Sequence, residues 1–522
     1  MRVLIFHGYL LRGTGSNVYN ANLAQALSRL GHDVHLLCQD PEAESLGWID
    51  AVGVPAAEGF AIEPAGGSSP GPGSITAYRP DIGGLLPVYV RDTYAGFRVK
   101  TFSELTDAEL DTYIELNVAP VRAVAAAGVD AALANHLVMG PLILARAGLR
   151  FAAKVHGSAL SYTVRPDPRF LPHAREGMAA ASGVLTGSRH TAESLWETVG
   201  DPELPAKTRL GPPGVDVVEF ARPADDDPVA RIAALAGELR ALGAAKEADE
   251  GRDADSFERD EAEAADALEH FAGGGAGAPR VIFVGKLIVS KGCDLLLAAW
   301  PLVVAASPGA RLLLVCFGAY RDGLERLWRA IGSGDLADAR RIAAAGWGLE
   351  GGEERPLAIL SAFLADPPPG WAEACALAAG SVAFAGRLEH AEVGRLLPAT
   401  DAMVVPSTFP EAFGMVAAEA AAAGSLPVCA EHSGLAEVAS ALDADLPDPA
   451  RGLTAFALKP GAVAAIAERL NRWLALPDGE RDEARAALAA TVARLWSWEE
   501  VARGVLDAAA GRLDELPPIP AS

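Results

Sequence analysis

Short, wholly apolar runs alternate along this chain with stretches whose apolar residues recur every three or four positions. Residues 3–6 (VLIF) are all apolar, as in a strand buried on both faces of a parallel sheet. Val18, Leu23, Ala26, Leu27 and Leu30 follow at helical spacing, Gly31 ends that helix, and residues 33–37 begin a second strand. A strand–helix–strand unit at the start predicts an open, doubly wound sheet. Helical residues 104–127 and strand-like pieces at 131–135, 152–155 and 183–186 continue the alternation. Residues 51–100, rich in Gly, Pro and Ser around PAGGSSPGPGS, read as a long surface loop leading into PVYVRD.

Gly211-Pro-Pro-Gly-Val-Asp216 is a stiff turn and a candidate domain boundary. After it, residues 224–278 turn strongly acidic (ADEGRDADSFERDEAEAADALEH) and close on AGGGAGAP, which predicts a solvated, partly disordered insertion. The pattern restarts at residue 281. VIFVG reads as a buried strand, 286–291 as a loop, 294–306 as a helix and 311–316 as the next strand. A helical, glycine-interrupted insertion (320–380), a strand (382–384) and a helix (390–397) precede a strand at 402–405. An alanine-rich helix then begins near Phe413-Gly414, Gly424 stops it, and 426–429 is another strand. The final LWSWEEVARGVLDAAAGRL is an amphipathic helix able to dock on either domain.

With 522 residues the chain exceeds one core, and the two restarts predict two domains. A net charge of −24 argues against nucleic acid or an anionic membrane surface as the main partner. The five scattered cysteines show no pairing or CxxC pattern, so free thiols in a reducing cytoplasm are expected. The N-terminus reads as a strand rather than a signal peptide, and no apolar run makes a convincing membrane span. A cytoplasmic protein follows, with peripheral membrane contact still possible.

Chemistry concentrates in residues 401–438. Glu411 lies in a loop before the alanine-rich helix and Glu419 within it, a carboxylate that costs burial energy unless partnered. Backbone N–H groups near Phe413, Gly414 and Met415 stand at a helix start, which suits an anion. Lys286 and Lys291 flank a loop just after a strand, where they can neutralise phosphate. His156 ends a strand-like piece, where open α/β sheets bind ligands. Together these suit a ligand with phosphate at one end and hydroxyls at the other. A nicotinamide site at Gly13-x-Gly15 is set aside. Val18 stands at the third glycine position, and the loop is too long for the tight turn.

EAFGMVAAE, from Glu411 to Glu419, resembles the E-x7-E motif of the family 4 glycosyltransferases, whose GT-B fold faces two Rossmann-like domains across a cleft. GTGSNVYNANLAQALSRLGHDV, KVHGS, TGSRHTAESL, PPGVD, VGKLIVSKGCDLLLAAW and LWSWEEVA resemble further segments of that family in the same order. The resemblance implies an acceptor-binding domain over 1–215, completed by a returning helix at 495–515. It implies a donor-binding domain over 216–494, with insertions at 224–278 and 320–380 that a minimal member lacks. Lys291 would bind the donor diphosphate, aided by Lys286, which stands where the family usually has arginine. Phe413, Gly414 and Met415 would offer N–H groups, Glu419 would hold the ribose and Glu411 the sugar. His156 would meet the sugar or the reacting centre, and Gly15 would let its loop approach the phosphate. FGAY replaces the usual G-x-G after the strand at 311–316, which alters the expected base contacts.

The implied reaction transfers a hexose from a nucleotide-diphosphate sugar of unspecified base to an acceptor hydroxyl, with retention and without a metal or other cofactor. The acidic triplet Asp225-Asp226-Asp227 and the pair Asp253 and Asp255 lie in or beside the acidic insertion, not in a metal-motif context. Acceptor and oligomeric state are not legible. Two alternatives are a glycoside phosphorylase of the same architecture and a non-catalytic nucleotide-sugar or partner-binding protein.

Overall fold

The computed structural model describes residues 1–13, 15–56, 59–89, 94, 96–223, 227–247, 259–275 and 277–520. The chain divides into two compact units, Met1–Gly214 with Trp496–Ser522, and Val215–Leu495.

The strands of the first unit are β1 (Arg2–Phe6), β2 (Asp33–Leu37), β3 (Ala51–Ala56), β4 (Gly59–Pro64), β5 (Ile75–Tyr78), β6 (Leu85–Val88), β7 (Arg98–Thr101), β8 (Ala131–Asn135), β9 (Ala152–Val155), β10 (Gly183–Thr186) and β11 (Thr208–Leu210). Among the described residues they form a nine-stranded sheet in the order β11-β10-β9-β8-β1-β2-β5-β3-β4, with β6 and β7 paired separately. The pairings in the large sheet are parallel except β3 with β4. Side chains of β1 alternate between two cores. Leu4 and Phe6 join one with Ala132, Ala134, Ala153 and Val184. Val3 and Ile5 join the other with Leu23 and Leu27 of the helix Ser16–Arg29 and with Trp498 and Val505 of the helix Trp498–Ala510. The C-terminal helix therefore belongs to the first unit, tied there by Arg29 to Glu499 at 2.7 Å.

The expectation of a loop over 51–100 is corrected, because four strands lie within it and a fifth begins at Arg98. Their cue was weak. β3 carries a proline and a glycine, and β4 ends on proline. Gly53 has a physical reason: a Cβ there would lie 2.3 Å from the Tyr78 ring. The PAGGSSPGPGS segment itself is the connection between β4 and β5.

In the second unit β12 (Arg280–Val284), β13 (Arg311–Val315), β14 (Val382–Gly386), β15 (Ala402–Val405), β16 (Leu426–Ala430) and β17 (Ala455–Phe456) form an all-parallel sheet, order β14-β13-β12-β15-β16-β17. This is the 3-2-1-4-5-6 order of a doubly wound nucleotide-binding fold, reversing direction between β12 and β15.

The solvated reading of 224–278 is corrected where the structure describes it. Pro228–Glu247 and Glu261–Ala272 are helices packed on each other, the second also on β14. Ile232, Leu235, Leu239, Leu268 and Phe271 are buried, while Arg240 pairs outward with Asp266 and Glu269. In Glu261–Ala272 the acids other than buried Glu261 lie off the buried stripe of Ala264, Leu268 and Phe271, and their number masked it. Residues 224–226 and 248–258, with Asp225, Asp226, Asp253 and Asp255, fall outside the described residues. The 320–380 insertion is helical, and the Trp371 indole donates to the Ala298 carbonyl at 2.8 Å inside the core. No described helix is long and apolar enough to cross a membrane.

Candidate active site

In the second unit the crevice at the carboxyl ends of β12 and β15 is built from the loops that follow them. The β12 loop carries exposed Lys286, turns through Val289–Lys291 and ends at Gly292 in the left-handed region (φ 67°). It cannot move far. The Leu287 amide donates to Phe317 O at 3.0 Å, and the Thr408 amide of the β15 loop donates to Ser290 O at 2.8 Å. A Cβ on Gly292 would stand 2.1 Å from the Pro406 carbonyl oxygen, so only glycine permits this approach of the two loops. Glu350, from the 320–380 insertion, accepts the Val289 amide at 2.7 Å.

This arrangement brings Lys291 onto Glu411, with Lys291 Nζ bonded to Glu411 Oε1. Ser407 Oγ donates to the same oxygen at 2.7 Å, and the Glu411 amide donates to Ser433 Oγ at 2.9 Å. His432 Nε2 bonds the Ser407 carbonyl at 2.6 Å. Ser433 takes a positive φ of 50°, a strained conformation for a non-glycine residue, directly against the Glu411 backbone. Phe413 is buried, and Gly414 (φ 115°) starts the helix Met415–Ala422. The tight packing is visible at Gly414 too, where a Cβ would meet Leu435 at 2.6 Å.

Glu419 is the fifth residue of that helix, one turn in, and is 5% exposed. Its carboxylate bonds His390 Nε2 at 3.0 Å. Burial alone would lower the His390 pKa. The hydrogen bond and charge of Glu419, with Glu219 and Asp216, outweigh burial and hold it above its ordinary value. A cavity of about 630 Å³ lies elsewhere, at the outer edge of this sheet beside Thr454, Lys459 and Arg469, and none of these site residues lines it.

The first unit holds a second polar cluster, at the carboxyl ends of β1, β8 and β9. Here its sheet order reverses, between β1 and β8. His7 follows β1, His136 follows β8 and His156 follows β9. Asn17 Nδ2 donates to Arg12 O at 2.8 Å, leaving its Oδ1 to accept from His7 Nε2 at 2.9 Å. His7 Nδ1 then accepts from Asn20 Nδ2 at 3.0 Å. Asn20 Oδ1 accepts from Asn135 Nδ2 at 2.7 Å, and Asn135 Oδ1 faces His156 Nε2 at 3.1 Å. Each amide passes the same polarity along. His156 therefore carries its proton on Nε2 and presents Nδ1 as an acceptor.

Burial pushes the His7 pKa down to about 4, against its hydrogen bonds to Asn17 and Leu10. It drives His136 and His156 well below the usual range, helped because charging either ring would be opposed by a charge on His7 and, for His156, on His136 or Lys154. All three rings are thus neutral near pH 7. His136 sits at φ 68° and buries both ring nitrogens without a hydrogen-bond partner among the described residues. Burial also lowers Lys154 to about 7; its Nζ bonds the Gly211 carbonyl and lies 5.4 Å from the Tyr19 ring centre. Gly15 begins the helix Ser16–Arg29 at φ 52°, with open space where a Cβ would stand.

The residues picked out from the sequence thus divide between the units. Lys286, Lys291, Glu411, Phe413, Gly414, Met415 and Glu419 gather on the second sheet, and Gly15 and His156 stand at the carboxyl edge of the first. His390, Ser407, Ser433, Glu350 and the His7–Asn20–Asn135 chain were not foreseen. Only His7 had a sequence cue, standing just past an apolar strand as His156 does. The others meet the site through contacts between segments far apart in sequence. Among the described residues, no group of three or more His, Cys, Asp or Glu side chains is placed to hold a metal ion.

Residues 371–491 match the family model described as glycosyl transferases group 1. Glycogen synthase of Mycobacterium tuberculosis is 28% identical over 211 residues, covering 40% of this chain. The match spans 37% of that relative's length. Anabaena Alr3699/HepE, solved in complex with UDP and glucose, superposes at a TM-score of 0.54 with 16% identity, covering 99% of this chain and 100% of that one. Sucrose-phosphate synthase from Thermosynechococcus elongatus gives 0.52 with 18% identity over 98% of both chains. Trehalose-6-phosphate from E. coli, bound with UDP-2-fluoro glucose, gives 0.53 with 12% identity, covering 98% of this chain and 99% of that one. These likenesses show the GT-B fold, with two Rossmann-like domains.

Proposed function

We propose that this protein is a glycosyltransferase that moves a hexose from a nucleotide-diphosphate sugar to an acceptor hydroxyl, with retention of anomeric configuration. The carrying observation is the pairing of Lys291 with Glu411 at the reversal point of the second sheet, with buried Glu419 one turn into the helix that follows. Glu411 and Glu419 lie inside the stretch matched by the group 1 model. The bound ligands named for two fold neighbours, UDP with glucose and UDP-2-fluoro glucose, support this donor class.

The chemistry follows from the donor groups. Lys291 has three N–H bonds, so it can hold Glu411 and still donate to a diphosphate oxygen. Lys286 adds a second cation, and the helix start at Gly414–Met415 adds backbone dipoles aimed at the departing negative charge. Glu411, bonded by Ser407 at its carboxylate and to Ser433 through its amide, would accept from sugar hydroxyls. Glu419 would take the ribose. His156, neutral with Nδ1 free of a proton, accepts from a hydroxyl of the sugar or of the attacking acceptor. The acceptor oxygen attacks on the face the diphosphate leaves, so Glu411 need form no covalent bond.

The test is a thermal-shift screen against UDP-, GDP- and ADP-sugars, followed by assay of nucleoside diphosphate release. A donor binding only the folded state raises the melting temperature by mass action. Lys291→Ala and Glu411→Ala should each cut kcat/KM by about 10²-fold or more while melting as the native protein does. Normal turnover in both variants would refute the assignment. Turnover that requires inorganic phosphate and no nucleotide would point to phosphorolysis instead.

A further inference from the structure

Glu419 is a carboxylate on an alanine-rich helix, and among the described residues His390 is the one side chain within hydrogen-bond distance of it. The two come from different elements. His390 opens the helix His390–Leu396, which follows β14, and Glu419 lies on the helix after β15. The Glu419 side chain is 6% exposed, whereas that of His390 is 40% exposed. Phe220, fully buried, meets the imidazole edge-on at 5.3 Å and fixes its plane. The geometry points to His390 as a positioning residue for the donor. By pinning Oε1 it sets the plane of the Glu419 carboxylate toward a ribose diol, and so the preference for ribose over 2′-deoxyribose. This inference rests on the donor reading of Glu419 given above.

A carboxylate free to rotate about its last bond must be ordered when a diol binds, and that ordering weakens binding. A bond from an imidazolium is charge-assisted and orders it beforehand. The charged groups facing His390 are Glu419 from one helix and Asp216 and Glu219 from the segment entering the second unit. A Cβ on Gly394 of the His390 helix would stand 3.3 Å from Glu219 Oε1, which locates that acid on the same helix. Three acids around one imidazole favour its charged form. As pH rises through the raised pKa of His390 the bond to Glu419 becomes neutral and weaker, so ribose preference should decline toward alkaline pH.

Calorimetric titration with ribo- and 2′-deoxyribonucleoside diphosphates, of the base that gives the largest thermal shift, tests this. The native protein should prefer the ribo form. His390→Ala should weaken ribo binding about ten-fold and leave deoxy binding nearly unchanged, collapsing the ratio. His390→Gln keeps an N–H for Glu419, so it should restore most of the ratio and remove its pH dependence. It also provides the test if the alanine variant does not fold. A native-like ratio in His390→Ala alongside a lost ratio in Glu419→Ala would overturn the role of His390 alone. A native-like ratio in Glu419→Ala would overturn the donor reading itself. No ribose preference in the native protein would overturn the inference.

Discussion

Acidification from about pH 6 to pH 5 should cost the first unit about 4 kcal/mol of stability. His7, His136 and His156 are neutral in the fold because burial lowers each of them, His7 to about 4. Once exposed they titrate near 6.5. Between these values the unfolded chain binds nearly one proton more per ring, so stability is complete above the unfolded value and falls as pH drops. Each proton is worth about 1.4 kcal/mol per pH unit. Three give the stated slope, and His35 and His173, also lowered, add to it. Lys154 acts in a different window. Folded at about 7 and unfolded at 10.5, it makes stability rise with pH only on the alkaline side. Hydrogen exchange of peptides covering β1 and β8, corrected for intrinsic rates, reads the opening free energy of this unit. His7→Gln should reduce the slope by about one proton. A slope of one proton or less in the native protein would mean that at least two of the rings are charged when folded, and would refute the neutral cluster and the acceptor role of His156.

Other consequences are simpler to read. Gly292→Ala should cost about 2 kcal/mol or more, because φ is 67° and the new Cβ would meet the Pro406 carbonyl. It should also weaken nucleoside diphosphate binding, since Lys291 is its neighbour; a native melting curve and affinity would contradict the loop contact. Phe271→Ala should cost about 3–5 kcal/mol in thermal or urea unfolding, as for any fully buried phenyl group. A loss under 1 kcal/mol would return the acidic segment to a solvated tail.

Periodicity was enough for the main strands. Residues 131–135, 152–155 and 402–405 are strands over the same bounds read from the sequence, because strands buried on both faces are almost wholly apolar, with Asn135 and Lys154 the polar exceptions. It failed where composition competed with pattern. Proline and glycine hid β3 and β4, and acids hid the stripe of Ala264, Leu268 and Phe271. The chemistry was legible where it is local. Glu411, Gly414 and Glu419 lie on one short stretch, and that stretch is a loop and helix whose residue types suit phosphate and hydroxyls.

What the sequence by itself determined is the order of strands and helices, and the residue types at each strand end, since both follow from side chains a few positions apart. Only the tertiary structure decided which strand ends are neighbours. The reversal between β12 and β15 sets the Lys291 loop against the Glu411 loop, though 120 positions separate the two residues. The same is true of His390 beside Glu419 and of the amide chain running from Asn17 to His156. A hydrogen bond depends on distance and direction in space. Folding sets both, and no spacing along the chain encodes them.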